Sequence, residues 1–144
     1  MEAGPHLSPQ EGQTLVAFKQ ALGPMDFDDY TYVRFLKARK WNVEKTLLMF
    51  QNWLAWRMEI RIEEVRVFSF PEVNDVKLYY PHGFHKTDKL GRPIYIERIG
   101  ALNLTRLWEV TNFERMELYF VREYERMIHE RFTACSRAAG RRIE

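Results

Sequence analysis

One stretch, Tyr79 to Gly100 (YYPHGFHKTDKLGRPIYIERIG), limits what this chain can fold into more than any other. Elsewhere apolar residues recur every third or fourth position, but here they alternate. Two short runs, Gly83 to Thr87 and Arg92 to Arg98, flank Asp88-Lys89-Leu90-Gly91. Asp suits the start of a type I turn, and Gly accepts the left-handed conformation that closes a hairpin loop of this length. In the second run Ile94 and Ile96 alternate with Tyr95 and Glu97, so one strand face is aliphatic. Pro93 has no N–H to donate and belongs at a strand's start or on an edge. The stretch predicts a β-hairpin. Because helical patterns stand before and after it, the fold class is mixed α/β, with the hairpin as the first piece of a sheet whose other strands are not evident.

The flanking patterns are read in order. Met1 to Glu11 holds two prolines and a glycine and reads as a flexible lead-in. Leu15, Val16, Phe18, Ala21 and Leu22 give a short amphipathic helix closed by Gly23-Pro24. Asp28-Asp29 caps the next helix, which runs to about Lys40 with Tyr32, Val33, Phe35, Leu36 and Ala38 inside. Asn42 caps a third, carrying Val43, Leu47, Phe50, Leu54 and Met58 at helical spacing, with Trp53 and Trp56 widening the face. Residues 12–70 are thus expected as a helical lobe, although Arg61 to Phe70 fits a helix and a loop equally well. Pro71 can open a short helix to about Tyr79. After the hairpin, Ala101 to Val110 is a connector with one turn near Leu104 to Trp108. Thr111-Asn112-Phe113-Glu114 matches a capping box and starts the longest helix, to about Arg131. Its expected inner face is Phe113, Met116, Phe120, Tyr124, Met127 and Ile128. The closing CSRAAGRRIE supplies no evident core element, and residues 71–144 make the second lobe.

Composition narrows the function classes. At 144 residues the chain has room for a real core, and 15% aromatics point to an aromatic core or a large apolar pocket. A formal net charge of +2 gives no reason to invoke nucleic acid. Its single cysteine, Cys135, leaves no internal disulfide and fits a reducing compartment. No run approaches the roughly 18 apolar residues of a membrane span, and the first residues lack a signal-peptide pattern. The expected compartment is the cytosol.

Few side chains suggest covalent chemistry. His82 and His85 lie three apart where a strand would send them to opposite faces, and His129 is distant, so no metal site is expected. Neither Cys135 nor any serine has a histidine at a nucleophile–base spacing, and no glycine-rich phosphate loop occurs. Glu97, Glu123 and Glu125 read as surface charges. The basic cluster Arg34, Lys37, Arg39 and Lys40 reads first as a solvated helix face, and second as an anion site, since Arg presents a planar fork that matches phosphate. A helix-turn-helix reading of Asp28 to Met58 is disfavoured because the would-be recognition helix is apolar and rich in tryptophan. Phe120, Tyr124 and Tyr95 read as core, or as aromatic walls whose tyrosine hydroxyls face a headgroup.

RFLKARKWNVEKT at Arg34 to Thr46 resembles the helical N-terminal lobe of the CRAL-TRIO lipid-binding family. YYPHGFHKTDKLGRPIYIERIGALNL at Tyr79 to Leu104 resembles the opening of that family's lipid-binding lobe. The likeness continues through REYERM (Arg122 to Met127) and ACSRAAGRRIE (Ala134 to Glu144). Within the family it is most like the secretory phosphatidylinositol/phosphatidylcholine transfer proteins. The resemblance implies a helical lobe followed by an α/β lobe whose sheet floors a lipid cavity. It implies a non-catalytic activity without cofactor, in which one phospholipid is lifted from a membrane surface and exchanged for another. Arg39 and Lys40 match positions that hold the inositol phosphate, and Phe84, Tyr95 and Tyr124 match the phosphatidylcholine headgroup tyrosines. Phe84 lacks the hydroxyl, which favours phosphatidylinositol over phosphatidylcholine.

The resemblance also implies a cytoplasmic protein with transient contact at Golgi and endosomal membranes. In the family the lipid lobe continues past the point matching Glu144, so the expectation is a C-terminally truncated lobe with impaired transfer. An exposed hairpin edge would then favour self-association. A protein-interaction module built on the helical lobe, or a carrier of another hydrophobic ligand such as tocopherol or retinal, are the alternative readings.

Overall fold

Side-chain caps decide where most of the helices begin. The structure is a computed structural model that describes residues 4–144, and the chain divides between Ile60 and Arg61 into two compact units. The division falls ahead of the expected 70/71 boundary. Arg61, left-handed at φ 52°, breaks the helical path there. Residues 1–3 of the expected lead-in lie outside the described residues.

In the first unit, α1 (Pro9–Leu22) starts earlier than its apolar pattern suggested. The Ser8 hydroxyl accepts from the Glu11 amide while the Glu11 carboxylate accepts from the Ser8 amide, a reciprocal box with Pro9 at the first helical position. Residues 9–11 are therefore helix rather than lead-in. The Asp28 carboxylate caps α2 (Asp29–Ala38), accepting from the Thr31 amide at 2.8 Å. The Asn42 amide oxygen caps α3 (Val43–Glu59), accepting from Lys45 at 2.9 Å. Both caps stand where the sequence predicts them. Between α2 and α3 the chain turns through Lys40 and Trp41, both left-handed at φ 51° and 61°.

The three helices close around Leu15, Phe18, Tyr32, Val33, Leu36 and Phe50. Much of this core is aromatic, and its rings meet edge to face: Phe18 lies 5.8 Å from Phe50, and Phe35 lies 4.8 Å from it. Thr46 is fully buried, its hydroxyl satisfied by the Asn42 carbonyl at 2.6 Å. Met58, expected inside, is 79% exposed at the end of α3, beyond the reach of α1 and α2.

In the second unit, Arg61 to Phe70 resolves into a short helix, α4 (Ile62–Arg66), followed by a loop. Next come α5 (Val73–Tyr79) and two antiparallel strands, β1 (His82–Thr87) and β2 (Pro93–Glu97). His82 pairs with Glu97 and Phe84 with Tyr95, and Pro93 opens its strand as predicted. Asp88 organises the turn: its carboxylate accepts from the amides of Leu90 and Arg92, and Gly91 is left-handed at φ 81°. The irregular register between Phe84 and Thr87 coincides with Lys86 at φ 58°, a bulge that frees one residue from the ladder. Among the described residues the two strands pair with each other alone.

The connector contains a full helix, α6 (Leu104–Val110), capped by Asn103. The long helix α7 (Phe113–Arg126) is capped by Asn112 and not by Thr111. The Asn112 side chain accepts from the Arg115 amide at 2.9 Å, whereas the Thr111 hydroxyl donates to Glu72. A tertiary contact thus displaces the predicted capping box by one residue. The chain then passes through a π-helical segment, Met127–Arg131, into α8 (Phe132–Ala139).

The core of this unit is Phe70, Val76, Leu107, Met116 and Tyr119. It shifts the inner face of α7 away from the expected stripe: Tyr119 is buried, while Phe113 and Tyr124 are 71% and 60% exposed. Arg115 forks onto Glu72 and also donates to the Ser69 carbonyl, tying α7 to the loop before α5. The tail does supply a core residue. Ile143 is buried, and Arg141 donates to the Leu90 carbonyl at 2.6 Å, fastening the chain's end to the hairpin turn.

Candidate functional site

The hairpin and α7 enclose a cavity of about 570 Å³ in the second unit. Pairing of β1 with β2 sets Phe84 against Tyr95, ring centroids 5.1 Å apart, as one wall. Successive turns of α7 supply Phe120, Glu123 and Tyr124 as the opposite wall, and Met127 and Arg131 extend it along the π segment. His82 and Tyr119 close the inner end, with Lys77 of α5 beside them. Phe84, Tyr95 and Tyr124, assigned to a headgroup site by resemblance, are therefore lining residues of one cavity. Arg39 and Lys40 belong to the first unit, where both are exposed at the C-terminal end of α2. Their place is compatible with a solvated face and with an anion site alike.

Polar groups in the cavity are held in defined states. The His82 Nδ1–H donates to the Tyr80 carbonyl at 2.6 Å, and this tautomer leaves Nε2 to accept from the Tyr119 hydroxyl at 3.0 Å. Burial pushes the imidazole below its ordinary value; the Tyr80 carbonyl opposes this and Lys77 adds to it. Burial, with the Tyr80 hydroxyl donating to Glu97 at 2.8 Å, raises Tyr80 to about 12. Burial also pushes Tyr95 and Tyr119 up, aided by Glu97 for the first and Glu123 for the second. The three phenols keep their protons, those of Tyr80 and Tyr119 being donated in hydrogen bonds to Glu97 and His82, and the cavity walls are largely aromatic.

The state of His82 gives a pH dependence with a definite sign. Facing it are Lys77, Glu97 and Glu123. The folded chain takes up the imidazole proton less readily than the unfolded chain, so stability is complete above about pH 6.5 and declines as pH falls through that value. A His82→Gln variant is expected to show a flatter stability profile between pH 7 and 5 in urea titrations. Parallel profiles for the two proteins would show that His82 titrates as an ordinary histidine.

Two glutamates depart from their expected role as surface charges. Glu123 accepts from Arg131 at 2.9 Å and from Arg126 at 3.2 Å, with Arg122 at 3.6 Å, and is largely buried. Glu125 is 6% exposed and pairs with Arg66 at 2.9 Å. The signal for both lay in the arginines around them, whose partners only the fold identifies. Among the described residues, no group of three or more His, Cys, Asp or Glu side chains is disposed to hold a metal ion, and no helix is long and apolar enough to cross a membrane.

Comparison with known proteins bears on this site. Residues 7–52 match the CRAL/TRIO N-terminal domain. Over 144 residues the chain is 40% identical to a Sec14 cytosolic factor of Schizosaccharomyces pombe, covering 96% of this chain and 50% of that protein. It is 38% identical to a SEC14 cytosolic factor of Kluyveromyces lactis, covering 96% and 48%. It is also 41% identical over 141 residues to the phosphatidylinositol/phosphatidylcholine transfer protein SFH9 of Arabidopsis thaliana, covering 93% and 24%. The chain thus spans half or less of the length of these relatives. The first unit thus matches a CRAL/TRIO N-terminal domain, and over nearly its whole length the chain is similar to a part of each of these relatives.

Proposed function

We propose that the chain binds a phospholipid and carries it between membranes, phosphatidylinositol in preference to phosphatidylcholine, and that the cavity between the hairpin and α7 is its phosphatidylcholine headgroup site. The observation that supports this most is the convergence of Phe84, Tyr95 and Tyr124 on one cavity of suitable size for a small polar ligand on an apolar wall. Tyrosine hydroxyls such as those of Tyr95 and Tyr124 can donate to ester and phosphate oxygens, and aromatic faces suit a choline cation. The preference follows from Phe84, which offers a ring but no hydroxyl. No group on the chain need form a covalent bond, and the phospholipid is a ligand rather than a cofactor.

In this reading Arg39 and Lys40 hold the inositol phosphate, and the partner is a membrane surface met transiently, at Golgi and endosomal membranes facing the cytosol. Transfer of labelled phosphatidylinositol between vesicles tests it. Charge-assisted hydrogen bonds are worth enough that Arg39→Ala with Lys40→Ala is expected to lower phosphatidylinositol transfer about tenfold or more. Phosphatidylcholine transfer should change little. Unchanged phosphatidylinositol transfer would instead favour a protein-docking role for the helical unit. Self-association through the exposed hairpin edge belongs to the same reading, and a concentration-independent monomer in sedimentation equilibrium would exclude it.

A further inference from the structure

The hairpin turn and the segment after α8 are drawn together, and both are basic. Arg141 donates to the Leu90 carbonyl at 2.6 Å, and a Cβ added at Gly91 would lie 3.3 Å from Ala139 and 3.7 Å from Ile143. The Ile143 amide donates to the Ser136 hydroxyl at 2.8 Å, which turns the segment back onto α8 and holds it there. Residues 85–92 and 136–144 together carry six lysines and arginines against two carboxylates. Their net charge of +4 exceeds the +2 of the whole chain, so the rest of the chain is slightly acidic.

Both carboxylates are already engaged. Asp88 pairs with Arg92 at 2.7 Å and accepts from two turn amides, and Glu144 pairs with Arg142 at 3.3 Å. Lys86, Lys89 and Arg137 form no ion pair among the described residues, and Arg141 directs its hydrogen bond to a neutral carbonyl. All four are exposed. Cations gathered without counter-charges repel one another, a cost that a negatively charged partner removes. Leu90, 54% exposed, stands in the turn beside Lys89. An apolar side chain flanked by cations suits an interface in which acidic headgroups overlie hydrocarbon. Single-stranded nucleic acid would be met by aromatic side chains for stacking, and these two segments contain no Phe, Tyr or Trp.

We propose that the hairpin turn and the segment after α8 form the surface by which the chain docks on membranes containing acidic phospholipid. Lys86, Lys89, Arg137 and Arg141 meet the headgroups, and Leu90 enters the interface. This inference rests on the reading of the chain as a lipid carrier. The acidic lipids it names belong to the bilayer and are distinct from the lipid carried.

Cosedimentation with vesicles of phosphatidylcholine alone, or of an equal mixture with phosphatidylserine, tests it, with phosphatidylinositol transfer measured on the same proteins. Wild type is expected to favour the acidic vesicles and to lose that preference at high salt. A cation near an acidic bilayer contributes about fivefold to partitioning. Lys86→Gln with Lys89→Gln should therefore weaken acidic-vesicle binding about tenfold or more and leave neutral-vesicle binding unchanged. Lys45→Gln with Arg98→Gln, an equal loss of charge at exposed positions elsewhere, should change it less than about twofold. Leu90→Ser should weaken acidic-vesicle binding severalfold and leave heparin binding unchanged.

Equal losses from the two double variants, or a change below twofold for the lysine pair, in a chain that transfers phosphatidylinositol would overturn this surface alone. A wild-type chain that neither binds vesicles nor transfers lipid would overturn the carrier reading as well. Heparin bound as tightly as acidic vesicles, with both indifferent to Leu90→Ser, would assign the face to a soluble polyanion and overturn the membrane as its partner.

Discussion

Phe50→Ala is expected to destabilise the first unit by about 3–5 kcal/mol, the range for truncating a large side chain in a core that cannot collapse around the gap. Phe50 is fully buried, and five rings contact it: Phe18, Phe27, Tyr32, Phe35 and Trp53, at centroid distances from 4.8 to 5.8 Å. Rings on three helices and the α1–α2 connector cannot all close on an alanine, so the cavity term adds to the lost transfer energy. Since domains are stable by only about 5–15 kcal/mol, such a loss would unfold the unit at modest denaturant. Urea unfolding followed by tryptophan fluorescence would measure it, with Trp108→Phe as background so that only Trp41, Trp53 and Trp56 of the first unit report. Met58→Ala, on the same helix but 79% exposed, should stay within about 0.5 kcal/mol. A loss under about 1.5 kcal/mol for Phe50→Ala would mean that these rings do not form the stabilising core.

The sequence made local chemistry legible and left tertiary choices hidden. Asp28 and Asn42 could be read as caps because each is the polar residue directly before an apolar-periodic run. The hairpin was legible because Asp88, Gly91 and Pro93 each have one good place in it. The Thr111-Asn112 pair was ambiguous by nature. Either residue can cap, and the choice fell to Asn112 because Glu72, distant in sequence, engages the Thr111 hydroxyl. The π segment has no sequence signature, so the helix was expected to run as a regular spiral. That expectation hid Arg131, which a regular helix would carry away from Glu123. Phe84, Tyr95 and Tyr124 were reached by resemblance and not by pattern, since alternation in β2 marks Tyr95 only as facing away from Ile94 and Ile96. Ile143 was passed over because a lone apolar residue among arginines has no period to betray it.

Arg66→Met should cost the second unit about 3–5 kcal/mol, and the cause would be the carboxylate left behind. Arg66 reaches from α4 to α7, where its Nε donates to Glu125 at 2.9 Å. The Glu125 side chain is 8% exposed and Arg66 33%, so the acid is the desolvated partner and the arginine is the one that still meets water. Removing the guanidinium takes one charge-assisted bond from an ion largely shielded from water. His129 Nε2 accepts from Arg66 at 2.7 Å and lies 3.5 Å from the same carboxylate oxygen. Once the arginine is gone its ring can turn an N–H to Glu125, which favours the lower end of the range. Lost packing between α4 and α7 would lower stability too, and a double mutant separates the two causes. If the stranded charge dominates, Arg66→Met with Glu125→Leu should recover most of the stability, because replacing a buried pair by apolar groups of similar size is often neutral or better. Equal destabilisation in the single and double variants, read from urea midpoints, would show that the pair acts by packing and that its charges contribute nothing.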